Sequence, residues 1–374
     1  MVCKLISIRK SLFFLIFIVI IFCKNDLKAQ KDTTNHHPEI KTDSVERLNY
    51  VTNGRRNVFT LFVYGSRFSN GILYGGNRNL LYYPISPINV GLGFTHKWIG
   101  ASFSLIAAEI NKGKFEGNYN FNVQINAYSR KIGADLVYSI NKGYYGANYK
   151  SFLDLNLNGT SKELPYYNVR MERLTVNVVR IFNGKKYSLN APLVQGEIQK
   201  KSAGSFLLNT ALSSAFTRNG DSLFVPSSLQ PLFEGNTILK NGEFYSLSIM
   251  PGYGVTWVIR EKFFVGIVPS IGPSFQFHHL TTQNSKEDYF TISYKILGRF
   301  GAGYHSERWT YGLSLLVDAE NYPLKNNTHF FNNVGKIYFR IGYKFKVPRW
   351  AEKYSRLMDK YQEKVEQKLP LHWH

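Results

Sequence analysis

From residue 57 to residue 347, apolar and polar side chains alternate one by one, in runs broken by short polar turns and by longer Gly/Asn/Tyr-rich stretches. A strand sends successive side chains to opposite faces, so each run predicts a strand with one apolar and one polar face. The last run is the plainest. Ile337, Phe339, Ile341, Tyr343 and Phe345 alternate with Lys336, Tyr338, Arg340, Gly342 and Lys344. In residues 118–128, Asn118, Asn120, Asn122, Gln124 and Asn126 alternate with Tyr119, Phe121, Val123, Ile125 and Ala127. A soluble strand seldom carries a pure amide row, whereas amides facing a wet lumen can bond water and one another. Its partner sets Lys131, Gly133, Asp135 and Ser139 against Ile132, Ala134, Leu136, Tyr138 and Ile140.

The same pattern predicts strands at 57–67, 88–95, 99–105, 169–182, 185–199, 203–216, 244–257, 263–277, 289–304 and 309–319. Asn183-Gly184 is a strong hairpin signal and joins the 169–182 and 185–199 candidates. Residues 71–87, 141–168, 218–241, 281–288 and 322–333 read as loops. Short turns on one side and long loops on the other are the arrangement of an outer-membrane barrel. The expected fold is all-β: a transmembrane antiparallel up-and-down β-barrel of about 12 strands, with 14 as the alternative. Thirteen candidates conflict with the even strand number of such barrels. The turns near Asn183 and Arg260 then fall on opposite sides, so residues 185–216 are the weak point of the count. Pro269 and Pro273 sit in a predicted strand, where each removes a ladder donor. The closing strand at 336–345 is expected to pair with 57–67 and remove both sheet edges. A soluble lipocalin-like barrel is the rival and would need the apolar rows turned inward.

The period changes after Phe345. Trp350, Tyr354, Leu357, Met358, Tyr361 and Val365 are three or four residues apart, predicting a short amphipathic helix between Pro348 and Pro370. The expected organisation is therefore a signal peptide at 1–29, a flexible periplasmic lead-in at 30–56, the barrel at 57–347, and a periplasmic helix and tail at 348–374. The signal reading rests on Lys4, Arg9 and Lys10, the apolar run from Leu12 to Cys23, and Leu27-Lys28-Ala29 before Gln30. The apolar run is too short for a helical bilayer span, which needs about 20 residues. Both cysteines, Cys3 and Cys23, lie in that segment, so the processed chain would have no thiol or disulfide.

Aromatic residues at 16% and 30 glycines suit girdles and turns. Net charge is +21, and removing the signal segment, with five cations and Asp26, leaves about +17. The positives are spread along strands rather than gathered in one run. An exported chain of this kind points to outer-membrane lipid head groups or small anionic solutes, and not to nucleic acid.

The inner rows supply the candidate site. Lumen-lining residues are Asn120, Asn122, Gln124, Asn126, Asp135, Lys295, Arg299, Asp318, Lys336 and Arg340, with Lys344 and Glu320 on the same faces. Two readings stand side by side: a cationic eyelet that selects anionic solutes, or a lumen crossed by ion pairs and closed. Catalytic chemistry finds little support. Ser270, Ser274 and His278 share one face, but no GxSxG occurs, and the small residues Gly266, Ser270, Gly272 and Ser274 suit a narrow inner wall. The His pairs lack metal-site spacing. No cofactor, metal or enzymatic activity is expected. The C-terminal helix is a candidate docking element for a periplasmic partner.

Three stretches together resemble a Bacteroidetes family known as domain of unknown function 4421. They are Asn89-Val90-Gly91-Leu92-Gly93-Phe94-Thr95-His96-Lys97-Trp98-Ile99-Gly100; Ser129-Arg130-Lys131-Ile132-Gly133-Ala134-Asp135 with Lys142-Gly143-Tyr144-Tyr145; and Gln199-Lys200-Lys201-Ser202-Ala203-Gly204-Ser205-Phe206. The resemblance implies an outer-membrane barrel and brings no activity or catalytic residues.

Overall fold

The computed structural model describes residues 46–53, 58–75, 79–85, 88–106, 118–146, 165–220, 222–233, 237–260, 262–283, 285–306, 308–347, 352–353 and 355–357. The expected signal segment and most of the expected C-terminal helix lie outside the described residues.

Alternation becomes a closed wall. The strands are β1 (Val51–Asn53), β2 (Val58–Gly75), β3 (Asn79–Pro84), β4 (Ile88–His96), β5 (Ile99–Ile106), β6 (Tyr119–Tyr128), β7 (Ile132–Gly146) and β8 (Pro165–Ile181). They continue with β9 (Glu197–Gln199), β10 (Ala203–Arg218), β11 (Leu239–Ile259), β12 (Phe263–Thr282), β13 (Lys286–His305), β14 (Trp309–Pro323) and β15 (His329–Lys346). Antiparallel pairing runs β2–β4–β5–β6–β7–β8–β10–β11–β12–β13–β14–β15 and returns to β2. The closing pair has Val58 opposite Lys346 and Gly75 opposite His329. Twelve staves therefore form the ring.

The 185–199 candidate is not a stave. Strand β8 pairs directly with β10, with Ile181 opposite Leu207. Removing that candidate restores even parity, and the connections near Asn183 and Arg260 fall at the same end as the tight turns after His96, Tyr128 and His305. This is called the turn end, and both chain termini of the barrel lie there.

The opposite, loop end narrows. Strands β4–β6 stop short, and β3, which lay in a predicted loop, bridges β2 at Ile72–Gly75 to β7 at Tyr144–Gly146. Pro273 and Pro269 are accommodated on β12 in two gaps of its register with β11, which carries no pairs for Ile249, Met250 and Pro251 or for Tyr253 and Gly254. A missing donor costs little where no ladder bond is made.

The apolar rows face outward. Leu61 is 51% exposed and Phe339 is 51% exposed, and Ile271, Phe275, Ile292, Leu313 and Ile341 are exposed with them. The amide and charged rows are buried inside. This is the reverse of a lipocalin-like soluble barrel, and a belt of this extent is stable only against lipid. The turn-end rim carries Phe59, Phe345, Trp309 and Tyr343 in ring contact. A Phe339→Lys substitution is expected to lower barrel stability by about 2–4 kcal/mol, the cost of a cation on a lipid face near mid-membrane. Urea titration of the protein folded into lipid vesicles reads it.

Candidate functional site

The lumen is filled at three levels. At the loop end, residues 222–233, part of a predicted loop, fold inward. Their 3-10 turn Ser227–Phe233 brings Phe224, Val225, Leu229 and Phe233 against inner-wall Tyr74, Tyr82, Phe244, Tyr322 and Phe330. Phe244 stacks on Phe330 with centroids 5.1 Å apart. The Tyr82 hydroxyl donates to Phe224 O at 2.5 Å, and the Tyr74 hydroxyl donates to Thr237 O. His278, Ser270 and Ser274 do not form a catalytic group. The His278 ring packs against Phe244 and Tyr289, Ser270 Oγ accepts from Asn209, and Ser274 Oγ donates to Glu320.

Mid-lumen holds charge. Arg173 reaches Asp318 at 2.8 Å and Glu320 at 3.4 Å; Lys295 reaches Glu320 at 3.0 Å and Asp318 at 3.5 Å. Arg299 pairs with Asp135 at 2.6 Å and donates to the Tyr128 hydroxyl at 2.7 Å. Asn126 and Asn177 also donate to Asp135, at 2.6 and 3.2 Å. The Arg173 and Arg299 contacts cross the barrel, whereas Lys295 meets Glu320, and Asn126 and Asn177 meet Asp135, from directly paired positions on adjacent strands. A cavity of about 70 Å³ remains between them, lined by Asn122, Gln124, Asp135, Lys295, Arg299 and Asp318 among others. That is room for a few waters and not a continuous pore.

Of the ten residues proposed to line the lumen, Asn120, Asn122, Asn126, Asp135, Lys295, Lys336 and Arg340 are buried, while Gln124, Arg299 and Asp318 are half-buried. Asn120 does not reach the central cavity. Arg340 does not stand free as an eyelet cation: its Nη1 donates to Val194 O at 3.1 Å. Arg173, Asn177 and Tyr128 belong to the network and were not singled out. The signal for two of them was present, since Arg173, Thr175 and Asn177 alternate with Leu174, Val176 and Val178.

At the turn end, residues 182–202 enter the lumen as a plug. A short helix, α1 (Asn190–Leu193), lies at its tip, and Gln195 turns the chain with φ 61°. Wall glycines make room for it. A Cβ at Gly266 would sit 2.4 Å from Pro192 Cβ, and one at Gly301 would sit 2.1 Å from Pro192 O. One at Gly254 would meet the Tyr187 hydroxyl at 2.3 Å. Tyr187, Leu189 and Val194 pack with inner-wall Val179, Ile181, Leu207 and Val268. Asn190 organises the plug, accepting from Gly196 N at 2.8 Å and Glu197 N at 3.0 Å and donating to Lys97 O at 3.2 Å.

The plug is strapped by a segment that is not part of the strand ring. Residues 46–53 fall in the segment expected to be a flexible lead-in, yet they form a helical turn and β1, which pairs with β9. A strand needs a partner edge, and β9 supplies one that is invisible in the local sequence. Arg47 bonds both Glu197 carboxylate oxygens at 3.1 and 2.9 Å and donates to Gly184 O. Ser188 Oγ donates to Glu197 at 2.5 Å, and Lys200 donates to Leu48 O and, through its backbone N–H, to Tyr50 O. One strap thus holds both ends of the plug. The described part of the C-terminal helix also sits at this end, where Ser355 bonds His96 Nε2 at 3.0 Å and Lys97 Nζ donates to Ser355 O at 3.0 Å.

A family model described as Domain of unknown function (DUF4421) matches residues 41–345. The chain belongs to that family. The Gly204 of its third sequence stretch, in the DUF4421 barrel, lies where a Cβ would be 2.5 Å from the Tyr253 hydroxyl, so only glycine lets β10 pass under that ring. A search of curated proteins finds no match. Among solved structures, the chain is similar to the outer-membrane protease OmpT from Escherichia coli, at 10% identity over 78% of this chain and 98% of that one, TM-score 0.35. It is also similar to the β domain of the Bordetella autotransporter BrkA, at 8% identity over 76% and 100%, TM-score 0.34. A third is the P. putida toluene transporter TodX, at 8% identity over 78% and 90%, TM-score 0.23. At these values the likenesses carry no functional argument. Among the described residues no helix is long and apolar enough to cross a membrane, which is silent on strands.

Proposed function

We propose that this protein is an integral outer-membrane β-barrel, sealed at rest, that admits small anionic solutes from the periplasmic side when its plug moves. The outward apolar belt supports the membrane placement. The tight turns support reading the plugged end as periplasmic, because such barrels keep short turns there and long loops outside. The observation that carries the gating reading is the strap. The plug packs on the wall through Tyr187, Leu189 and Val194, and its two ends are tied to a separate segment that is not part of the strand ring.

The excess charge supports the anionic preference. Mid-lumen carries Arg173, Lys295, Arg299, Lys336 and Arg340 against Asp135, Asp318 and Glu320. Low-dielectric walls focus such a field on any solute between them. A passive porin does not fit, since the ion pairs, aromatic cap and plug each close the path. In a planar lipid bilayer the intact protein is expected to pass no steady current. An ohmic, persistently open pore from the intact chain would overturn the sealed state.

A further inference from the structure

We infer that the wall of β15, with the inner faces of β2, β5 and β6 beside it, holds a binding site for one small inorganic anion, halide- to phosphate-sized, between Lys336 and Arg340. This deepens the reading above by naming the ligand class and the residues that take it.

The charge inventory points to this wall. Arg173, Lys295 and Arg299 are each in ion-pair contact with Asp135, Asp318 or Glu320. Lys336 and Arg340 remain. They are 3% and 4% exposed, and among the described residues no carboxylate lies within ion-pair distance of either. A buried cation without a counter-charge is costly, and its cost falls sharply when an anion shares the site.

Geometry gives the anion a place. Lys336 Nζ makes one weak bond, to Asn122 Oδ1 at 3.3 Å, and lies 5.0 and 5.1 Å from the ring centroids of Tyr64 and Tyr338. Those contacts leave N–H donors unused. Arg340 spends Nη1 on Val194 O, while its Nε and Nη2 are buried without a partner. Lys336 and Arg340 line one small cavity with Gln124, Asn126, Thr95 and Ser102, and Lys336, Gln124 and Asn126 also line the central cavity. The two carboxylates of the central cavity, Asp135 and Asp318, are engaged by Arg299, Arg173 and Lys295. The lining of the smaller cavity is rich in N–H and O–H donors and contains no acid.

The small size sets the class. A cavity of about 70 Å³ beside a pocket of about 20 Å³, sharing Gln124, Asn126 and Lys336 in their linings, has room for a partly dehydrated inorganic ion and not for a sugar acid or a nucleotide. The anion would sit against Val194, at the plug's inner end, so its arrival and the plug's hold on Arg340 are linked through one guanidinium.

Bromide is the probe. The purified full-length protein, in detergent at constant ionic strength, is expected to melt at a higher temperature as gluconate is replaced by bromide. Ligand that binds only the folded state raises stability with concentration. Lys336→Gln keeps a hydrogen-bonding side chain beside Asn122 and removes the charge; it is expected to fold, shown by heat-modifiable gel migration, and to lose that dependence. Crystals soaked in bromide are expected to give an anomalous peak within hydrogen-bond distance of Lys336 Nζ. No peak there, or the same bromide response in Lys336→Gln, overturns the site. Because no current or plug movement enters these readouts, a peak in a barrel that never opens sustains the site while sinking the gating reading.

Discussion

A single cysteine placed at Ser314 is expected to react slowly or not at all in the intact barrel, and to react readily once Glu197 is replaced by Ala. Ser314 lines the central cavity, is buried, and its hydroxyl has no partner, so the substitution disturbs little. The only native cysteines are Cys3 and Cys23, both in the predicted signal segment, so the introduced thiol would report alone. Glu197 holds Arg47 and Ser188 together and thereby ties the strap to both ends of the plug. Removing one member of a buried ion pair costs about 3–5 kcal/mol, because the other is left without its partner. If that cost falls on the plugged state, the unplugged population rises by about a hundredfold or more, at tenfold per 1.4 kcal/mol. Charge gives a second readout in the same variant. A sulfonate-bearing thiol reagent is expected to modify the cysteine about tenfold faster than a trimethylammonium-bearing one, because a cationic cleft concentrates anions. Unchanged labelling in Glu197→Ala would remove the strap from the mechanism, and a faster cationic reagent would remove the anionic preference.

A stability effect of similar size belongs to Glu320. Its carboxylate is fully buried and accepts from Lys295 at 3.0 Å, Ser274 at 2.9 Å and Tyr322 at 3.1 Å, with Arg173 at 3.4 Å. Glu320→Ala leaves Lys295 and Arg173 sharing Asp318 alone. The expected loss is about 3–5 kcal/mol in urea unfolding from lipid vesicles. The pair itself is not expected to be worth that much. Replacing Glu320 and Lys295 together by Met removes both charges and their desolvation, so the double variant is expected to regain most of the loss. A single variant that loses less than about 1 kcal/mol, the scale of a surface pair, would show that water reaches the network and screens it.

How much of this was legible beforehand depends on how far each feature reaches along the chain. Side-chain direction is local. The alternation of Ile337, Phe339 and Ile341 with Lys336, Tyr338 and Arg340 already separates an outward from an inward face, and the amide row from Asn120 to Asn126 places the polar side inside. A period of two leaves no freedom once one face meets lipid. The ring of twelve was readable only up to one error. Asn183-Gly184 is a good hairpin turn, and residues 185–199 follow it, but Pro192 and Gly196 within that stretch fit a strand poorly and a tight inward loop well.

The sequence by itself determined that the chain makes an outward-apolar barrel with a charged interior, closed by its last strand against its first. Tertiary structure alone decided what fills that interior. Arg299 meets Asp135 across 164 residues, Arg173 meets Asp318 across 145, and Arg47 meets Glu197 across 150. No local period encodes such pairs, because the first two exist only after the ring has closed and brought opposite walls within a side chain's reach, and the third only once the plug and the strap meet. The same closure turned an apparent strand into a plug, and an apparent lead-in into the strap that holds it.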